Sequence, residues 1–158
     1  MPSDGTEVPI VITETKGLLG VLELDAIKFY ELHAESLDPE DADGEDHPVE
    51  FKTAHRFAPM RADYRVAMTV RTPVLVARID AAAMFASETA LDVSDEILID
   101  FGDNVALMTL FPYLRQAVTD LSQRLGQALI LPVLPRGALS FAPVVADDET
   151  PTADVPTE

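Results

Sequence analysis

The chain has 158 residues, of which 28 are acidic and 11 basic, and its formal net charge is −17. This length fits one domain, and an apolar fraction of 47% is sufficient for a hydrophobic core. The absence of cysteine excludes disulfides, thiolate metal sites and thiol catalysis. The negative charge disfavours nucleic acid as a partner because it repels phosphate, whereas it favours solubility and basic partners.

The N-terminal residues carry no basic stretch followed by an apolar core, so we expect no secretory signal. No apolar run approaches the ~18 residues of a membrane span. We therefore expect a cytoplasmic protein without direct membrane insertion. The composition predicts a flexible N-terminal arm at residues 1–17 and a single domain at 18–142. Residues 143–158, which are rich in Asp, Glu, Thr and Pro, are predicted to form a disordered tail.

Alternation of apolar and polar residues with a period of two predicts strands in the first half of the chain. The runs are Val21–Glu35, Val49–Phe57, Tyr64–Val70 and Leu75–Phe85. In the first run the alternation slips, and a bulge near Ala26 explains the slip. An acidic loop at residues 38–46 follows this run. We expect four antiparallel strands in a meander.

The second half predicts helices. Ser94 is suited to cap a short helix that ends at Gly102, and Asp103 or Asn104 to cap a longer one. Gly126 suits the position just after the longer helix. Its apolar stripe has i, i+3, i+4, i+7 spacing and comprises Leu107, Leu110, Phe111, Leu114, Val118, Leu121 and Leu125. Pro112 lies within this stripe and predicts a kink because it has no N–H to donate.

Strands followed by helices indicate an α+β fold, a four-stranded antiparallel sheet with a long kinked helix packed on one face. The apolar segment Ile130–Pro135 contains two prolines and should be extended rather than helical. The second face of the sheet would carry Arg65, Thr69, Arg71 and Arg78, with Ile27 and Phe29 as candidates to lie beside them. An open face and exposed strand edges are common places for partners or oligomerisation.

Residues suited to catalysis are few. No serine lies in a Gly-x-Ser-x-Gly setting, and no glycine-rich phosphate loop precedes a helix. A metal site formed by His33, Glu35 and His55 is one alternative, although its spacing is unspecific. We expect no catalytic residue, no metal and no cofactor.

The run Leu110-Phe111-Pro112-Tyr113-Leu114-Arg115, followed by an apolar stripe to Gly126, resembles the Leu-Phe-Pro-Tyr-x-Arg helix of SecB export chaperones. The segment Ile130–Pro135 stands where that family has a Pro-containing extended segment. Ala82-Ala83-Met84-Phe85 resembles the end of its fourth strand, and Ile27–Glu35 its first strand. The order of elements matches from about Leu18 to Phe141.

The resemblance implies a holdase, a chaperone without nucleotide that binds unfolded polypeptides during protein export. It also implies a homo-tetramer built as a dimer of dimers. The implied peptide-binding residues are Val49, Phe51, Phe57, Met84, Phe85, Leu134, Leu139 and Phe141. Docking to the translocation motor SecA is implied for Glu31 and Glu35. Packing and assembly are implied for the helix residues Leu110, Phe111, Tyr113, Leu114, Val118 and Leu121.

Two features depart from the family pattern. The family commonly has a C-terminal helix after the extended segment, whereas here the run Arg136–Pro143 stops short and an acidic tail follows, so we expect part of the groove wall to differ. Arg78 stands where an acidic residue of the fourth strand is expected, which puts SecA docking in doubt. Three alternatives stay open: a SecB-like chaperone dedicated to a toxin–antitoxin pair, an oligomeric adaptor without chaperone activity, and an enzyme or small-ligand binder that uses His33 or His55.

Overall fold

The computed structural model describes residues 7–40, 47–135 and 137–143. The strands are β1 (Ile10–Ile12), β2 (Glu23–Ser36), β3 (Glu50–Ala58), β4 (Arg61–Arg71), β5 (Leu75–Ala86) and β6 (Leu91–Val93). The helices are α1 (Thr15–Leu19), α2 (Asp95–Phe101) and α3 (Leu107–Arg124), with a π-helical turn at Gly102–Ala106. These elements confirm the predicted α+β class, a four-stranded antiparallel sheet with a long helix on one face.

The order of strands in the large sheet is β2-β5-β4-β3, and all neighbours are antiparallel. The predicted meander is therefore wrong, because β2 pairs with β5 instead of with β3. Three hairpin-connected strands beside one strand reached by a long connection form a Greek key. The connection between β2 and β3 is residues 37–49, whose acidic part at 41–46 lies outside the described residues. As a result β2 and β3 form the two opposite edges of the sheet.

The register of β2 against β5 shifts between Leu24 and Ala26, which confirms the predicted bulge, and again between Phe29 and Glu31. Each extra residue moves the following side chains to the other face. The first shift aligns Ile27 with buried Ala83, and Phe29 aligns with buried Ala81. Ile27 and Phe29 therefore lie on the helix side, and not on the open face where they were expected.

The N-terminal arm predicted for residues 1–17 is wrong for its second half. Ile10, Val11 and Ile12 form β1, which pairs in parallel with β6 at Leu91–Val93. The short helix α1 follows and buries Leu18 completely, and the Thr15 hydroxyl donates a hydrogen bond to Asp100 at the end of α2. These contacts hold residues 10–19 on the domain. Residues 1–6 and the tail from residue 144 onward lie outside the described residues.

Gly102 does not end the first helix as predicted. The Ser94 side chain caps α2 by accepting from the Ile97 N–H, but the chain continues through the π turn directly into α3. Gly102 has helical angles, φ −58° and ψ −50°, and a Cβ at this position would lie 2.6 Å from Tyr64 Cε1 and 2.7 Å from Phe141 Cδ2. Glycine is therefore required at position 102 because Tyr64 and Phe141 pack closely against it, and not because the helix ends there.

Pro112 lies within α3, and Gly126 follows the helix with a positive φ of 79°. The Gly126 N–H donates to the Gln123 carbonyl at 3.0 Å and the Gln127 N–H donates to the Ser122 carbonyl at 2.9 Å. This pair of bonds is a Schellman motif, in which glycine adopts the left-handed conformation at low cost. The predicted end of the helix is confirmed.

The uninterrupted helix Asp95–Arg124 has 30 residues and is long and apolar enough, by length and composition only, to cross a membrane. From the sequence, no apolar run of this length was expected. Leu110, Leu114 and Val118 are fully buried in the core formed with β4 and β5. The helix therefore serves as the second layer of the domain.

Candidate functional site

An open groove of about 690 Å³ runs along β3, on the side of the sheet that the helices cover. We call it the β3 groove. Its walls come from three separate parts of the chain, which are Phe51–His55 of β3, Asp95 and Ile99 of α2, and Phe141–Pro143 after the helices. Alternation along β3 makes its odd-numbered side chains half-buried. The groove thus combines aromatic and aliphatic side chains with few charges.

Residues 137–143, which we call the return segment, form the outer wall of the β3 groove. Thr53 Oγ1 on β3 donates to the Ser140 carbonyl at 2.8 Å. The Ser140 hydroxyl and the Phe141 N–H both donate to the Asp103 carboxylate, each at 2.7 Å. Asp103 lies in the π turn, so one carboxylate joins the helix layer to this wall. Within the described residues, the groove wall on this side comes from an irregular segment without a helix.

Tyr64 forms the floor beneath the return segment. It is 1% exposed, and its hydroxyl donates to the Leu98 carbonyl at 2.7 Å. Phe141 packs edge-to-face on its ring with centroids 5.1 Å apart, and His55 stacks on it at 6.1 Å. Burial raises the pKa of Tyr64 well above its usual range, and the negative charge of Asp103 raises this pKa further. The phenol is therefore a neutral hydrogen-bond donor and part of a rigid aromatic floor.

Within the described residues, β3 pairs with β4 on one side and with no strand on the other. A row of backbone N–H and C=O groups between Glu50 and Ala58 therefore faces the β3 groove without ladder partners. An exposed edge of this kind can pair with an extended peptide, because main-chain hydrogen bonds do not depend on the peptide's sequence. Apolar walls beside such an edge suit extended segments with large side chains.

The structure separates the eight residues predicted to bind peptide. Phe51 and Phe141 lie together in the β3 groove. Val49, Phe57 and Leu139 are partly buried and pack against the core. Phe85, at 4% exposure, lies inside the core with its ring 5.1 Å from that of Phe101, so it offers no surface to a client.

Two of the predicted residues lie elsewhere. Met84 projects from the opposite face of β5, where Arg61 Nη2 lies 3.6 Å from its sulfur, because its neighbours Ala83 and Phe85 take the buried positions. Leu134 lines a separate cleft of about 160 Å³ that includes Met108, Phe111 and Arg115. In the described residues, Arg115 Nε is the buried side-chain nitrogen that lacks a hydrogen-bond partner.

The helix residues predicted to pack or assemble divide in the same way. Leu110, Leu114 and Val118 are fully buried, and Phe111 and Leu121 pack partly buried against the core. Tyr113 is 46% exposed. It lines a second open groove of about 510 Å³ between α3 and β2, together with Phe29, Leu32 and Leu121. We call this the β2 groove.

Glu31 and Glu35, the residues predicted to dock SecA, are exposed on the open face of β2. Glu31 aligns with Asp80, and Glu35 lies 3.6 Å from His33 Nε2. The alternative metal site is wrong, because β2 and β3 are opposite edges of the sheet and His33 is thereby separated from His55. In the described parts of the chain no group of three His, Asp or Glu could hold a metal ion.

Sequence patterns did not identify Asp103, Thr53 or Ile99 as site residues. Asp103 was expected to cap a helix, and Thr53 lies within the run Val49–Phe57 that predicted β3. Their roles depend on the return segment, which is about 38 residues further along the chain from Asp103.

No protein-family model matches this chain, and no curated protein sequence matches it. Among solved structures, the Mycobacterium tuberculosis Rv1957 SecB-like chaperone in complex with a ChAD peptide from the Rv1956 HigA1 antitoxin superimposes with a TM-score of 0.64. The alignment covers 76% of this chain and 96% of that chain, with 22% sequence identity. The predicted SecB-like fold is therefore confirmed.

Proposed function

We propose that this protein is a chaperone of the holdase type that binds extended, non-native polypeptide segments in the β3 groove. The observation that carries the proposal is an open apolar groove beside an unpaired strand edge, in a SecB-like fold. Affinity would come from several apolar side chains, each contributing about 1.5–3 kcal/mol when fully buried, and from main-chain hydrogen bonds at the edge. Binding of this kind needs neither a cofactor nor a catalytic residue.

The client is proposed to be a dedicated one, such as the antitoxin of a toxin–antitoxin pair. The structural neighbour is in complex with a peptide from an antitoxin, which supports a client of that class. General protein export is the second candidate. It is favoured by the exposed pair Glu31 and Glu35 on β2, which would face a basic part of the SecA motor. Arg78 beside His33 on the same face weakens that candidate.

Assembly as a homo-tetramer in the cytoplasm is part of the proposal. Exposed apolar side chains cluster on the helix side of β2 and on α3, where Leu24, Phe29, Leu32 and Tyr113 are 36–52% exposed. A contiguous apolar surface on a sheet edge and a helix is typical of subunit interfaces. A monomer in light scattering would contradict this part of the proposal.

The test of the main proposal is the aggregation of a chemically unfolded client, followed by light scattering with the purified full chain in excess. We expect delayed aggregation and saturable binding of a labelled unfolded peptide. The variant Ile99→Gln places an amide in the β3 groove and should weaken binding severalfold, since apolar contact is replaced by a group that prefers water. The matched control is Ile130→Gln, because Ile130 is 69% exposed and does not line the groove.

Equal melting temperatures of the two variants would show that both fold. If the unaltered protein neither delays aggregation nor binds the peptide, the chaperone proposal is wrong. If Ile99→Gln binds as strongly as Ile130→Gln, the site is not the β3 groove. Binding of one antitoxin peptide without any effect on unrelated unfolded clients would favour the dedicated role over export.

A further inference from the structure

Positive charge is concentrated on the face of the sheet that no helix covers, which we call the outer face. Strand alternation and register place seven of the 11 lysines and arginines there. They are Lys28, Lys52, Arg56, Arg61, Arg65, Arg71 and Arg78. The same register places six acidic residues on this face, which are Glu23, Glu31, Glu35, Glu50, Asp63 and Asp80. Asp25 lies in the bulge and has no register partner.

The outer face therefore carries a net charge of +1 (seven basic minus six acidic), while the whole chain carries −17. The remainder of the chain must then carry −18. The contrast is greater on β3, β4 and β5 alone, where six basic residues stand against Glu50, Asp63 and Asp80. Three of the six acidic residues of the face lie on the β2 edge. The centre of the face is basic in a protein that is otherwise strongly acidic.

The two aspartates at the centre are covered by arginines. Asp63 and Asp80 side chains are 13% and 16% exposed. Arg65 makes two bonds to the Asp80 carboxylate, at 2.8 and 2.6 Å, and its guanidinium lies 4.0 Å from the centre of the Tyr30 ring. Asp63 accepts from Arg56 at 3.2 Å and from Arg61 at 3.4 Å.

These bonds hold the arginines in place while leaving them open to solvent. The Arg56 side chain is 82% exposed and the Arg65 side chain 46% exposed. A guanidinium has five N–H donors, so each paired arginine keeps donors for a second carboxylate. The hydrogen bonds to Asp80 also raise the pKa of Arg65. A partner would meet fixed cations and would not have to order them.

Arg71 and Arg78 make no ion pair with any described residue of the chain. Arg71 aligns with Val76 and Arg78 aligns with Thr69, so the two arginines are diagonal neighbours on adjacent strands. Side chains in this relation approach to about 7–8 Å between Cα atoms. Glu50 is a diagonal neighbour of Arg71, and Glu31 and Glu35 are diagonal neighbours of Arg78, but none of these three described residues forms an ion pair with either arginine. The guanidinium groups of Arg71 and Arg78 therefore keep their donors for a partner.

We propose that the outer face docks an extended, Asp- and Glu-rich segment of a partner polypeptide. Carboxylates on such a segment would bond to the arginines already held at the centre and to Arg71 and Arg78, which form no ion pair with a described residue. A long phosphate backbone is a poor occupant, because it is a denser and longer run of negative charge than a peptide and the net charge of −17 repels it. The site is separate from the β3 groove, so the proposal does not depend on the chaperone proposal.

The experiment uses fluorescence anisotropy of a labelled peptide that alternates Glu with Ser, compared with the same peptide in which Gln replaces Glu. The titrant is the purified full chain, first at low salt and then at about 0.15 M, where charges are screened beyond ~8 Å. We expect saturable binding of the Glu peptide that weakens as salt rises. We expect no binding of the Gln peptide.

The variant that tests the site is the double change Arg71→Gln and Arg78→Gln. Glutamine keeps most of the side-chain length, and the net charge moves from −17 to −19. The matched control is Lys16→Glu on α1, which makes the same change in net charge away from the sheet. We expect the double variant to bind the Glu peptide about tenfold more weakly, because two charge-assisted contacts are lost. The control should change it less than twofold.

Equal weakening by the double variant and by Lys16→Glu would overturn the proposal, because net charge alone would then explain binding. Absence of binding by the unaltered chain at low salt would also overturn it. Competition by a single-stranded oligonucleotide at equal charge concentration would overturn the choice of a polypeptide. Delayed client aggregation by the double variant, at the level of the unaltered protein, would show that the two sites are distinct.

Discussion

The two faces of the large sheet are formed by the same strands, but one face carries buried apolar side chains and the other carries exposed charged side chains. On the helix side, alternate residues of β4 such as Tyr64, Val66 and Met68 are no more than 2% exposed. Their immediate neighbours Asp63, Arg65 and Ala67 project from the outer face. One period-two pattern thus supplies both the apolar floor of a groove and a basic surface.

The comparison shows where sequence changes should matter. Side chains on the helix side are fixed by packing, and changes there should act on stability. Side chains on the outer face are held by ion pairs at the protein surface, which contribute little to stability, so changes there should act on binding. Each change below tests this division.

The largest effect is expected for Leu114→Asp. Leu114 is 0% exposed in the centre of α3, and an aspartate there would be a buried charge without a partner. We expect a loss of several kcal/mol in the free energy of unfolding or failure to fold, measured by denaturant titration. Leu114→Met is the control and should cost less than about 1.5 kcal/mol. An unchanged unfolding midpoint for Leu114→Asp would mean that the helix presents a different face to the sheet.

The next effect is expected for Gly102→Ala. The added methyl would lie 2.6 Å from Tyr64 and 2.7 Å from Phe141, so the return segment must shift. Overpacking of this kind typically costs about 1–3 kcal/mol, and we expect increased hydrogen exchange at the Phe141 N–H as its bond to Asp103 loosens. The matched change is Gly20→Ala, where the nearest heavy atom would be 3.8 Å away. Equal losses at both positions would contradict a packing role for Gly102.

A smaller effect is expected for Tyr64→Phe. Loss of the hydrogen bond to the Leu98 carbonyl should cost about 1 kcal/mol. Because burial raises the pKa of Tyr64, the folded state keeps a proton that the unfolded state loses above about pH 10. Stability should therefore fall as pH rises beyond that value, and Tyr64→Phe should remove this dependence. Tyr30→Phe, on the outer face, should retain it.

The smallest effect is expected for Arg56→Gln. Its side chain is 82% exposed, and its pair with Asp63 is shared with Arg61. Thermal melts should show a change within about 0.5 kcal/mol, because exposed ion pairs are screened by water and salt. A loss above about 2 kcal/mol would show that the outer face contributes to folding, and the division between the two faces would fail.

Local chemistry made much of the fold predictable. Alternation identified β3, β4 and β5, Ser94 marked the start of the helix layer and Gly126 its end, since each of these signals acts within a few residues. The slip near Ala26 identified one bulge. The second bulge after Phe29 was hidden, because Tyr30 and Glu31 both suit a surface strand.

What could not be predicted depends on distant partners. The three residues of β1 carry no periodicity of their own, and they form a strand because Leu91–Val93 lies beside them. The Greek-key order depends on β2 reaching β5 past two other strands, which no local pattern encodes. The groove wall depends on Asp103, Thr53 and Ser140 meeting across long stretches of chain. Phe85 was wrongly predicted to bind peptide, because the sequence pattern of an aromatic residue on a strand is the same whether its side chain faces the core or a bound client.

The π turn at Gly102–Ala106 has a geometric consequence for the whole helix layer. A regular helix advances about 100° per residue, and a π turn accommodates one additional residue in the ladder. The buried residues on both sides of the turn are Leu98 and Phe101 before it and Leu107, Leu110 and Leu114 after it. A strict α-helical count of seven residues from Phe101 would instead place Met108 on the buried side, but Met108 is 68% exposed. The π turn therefore changes the helical phase between α2 and α3, so that their two apolar stripes lie on the same face of one continuous helix.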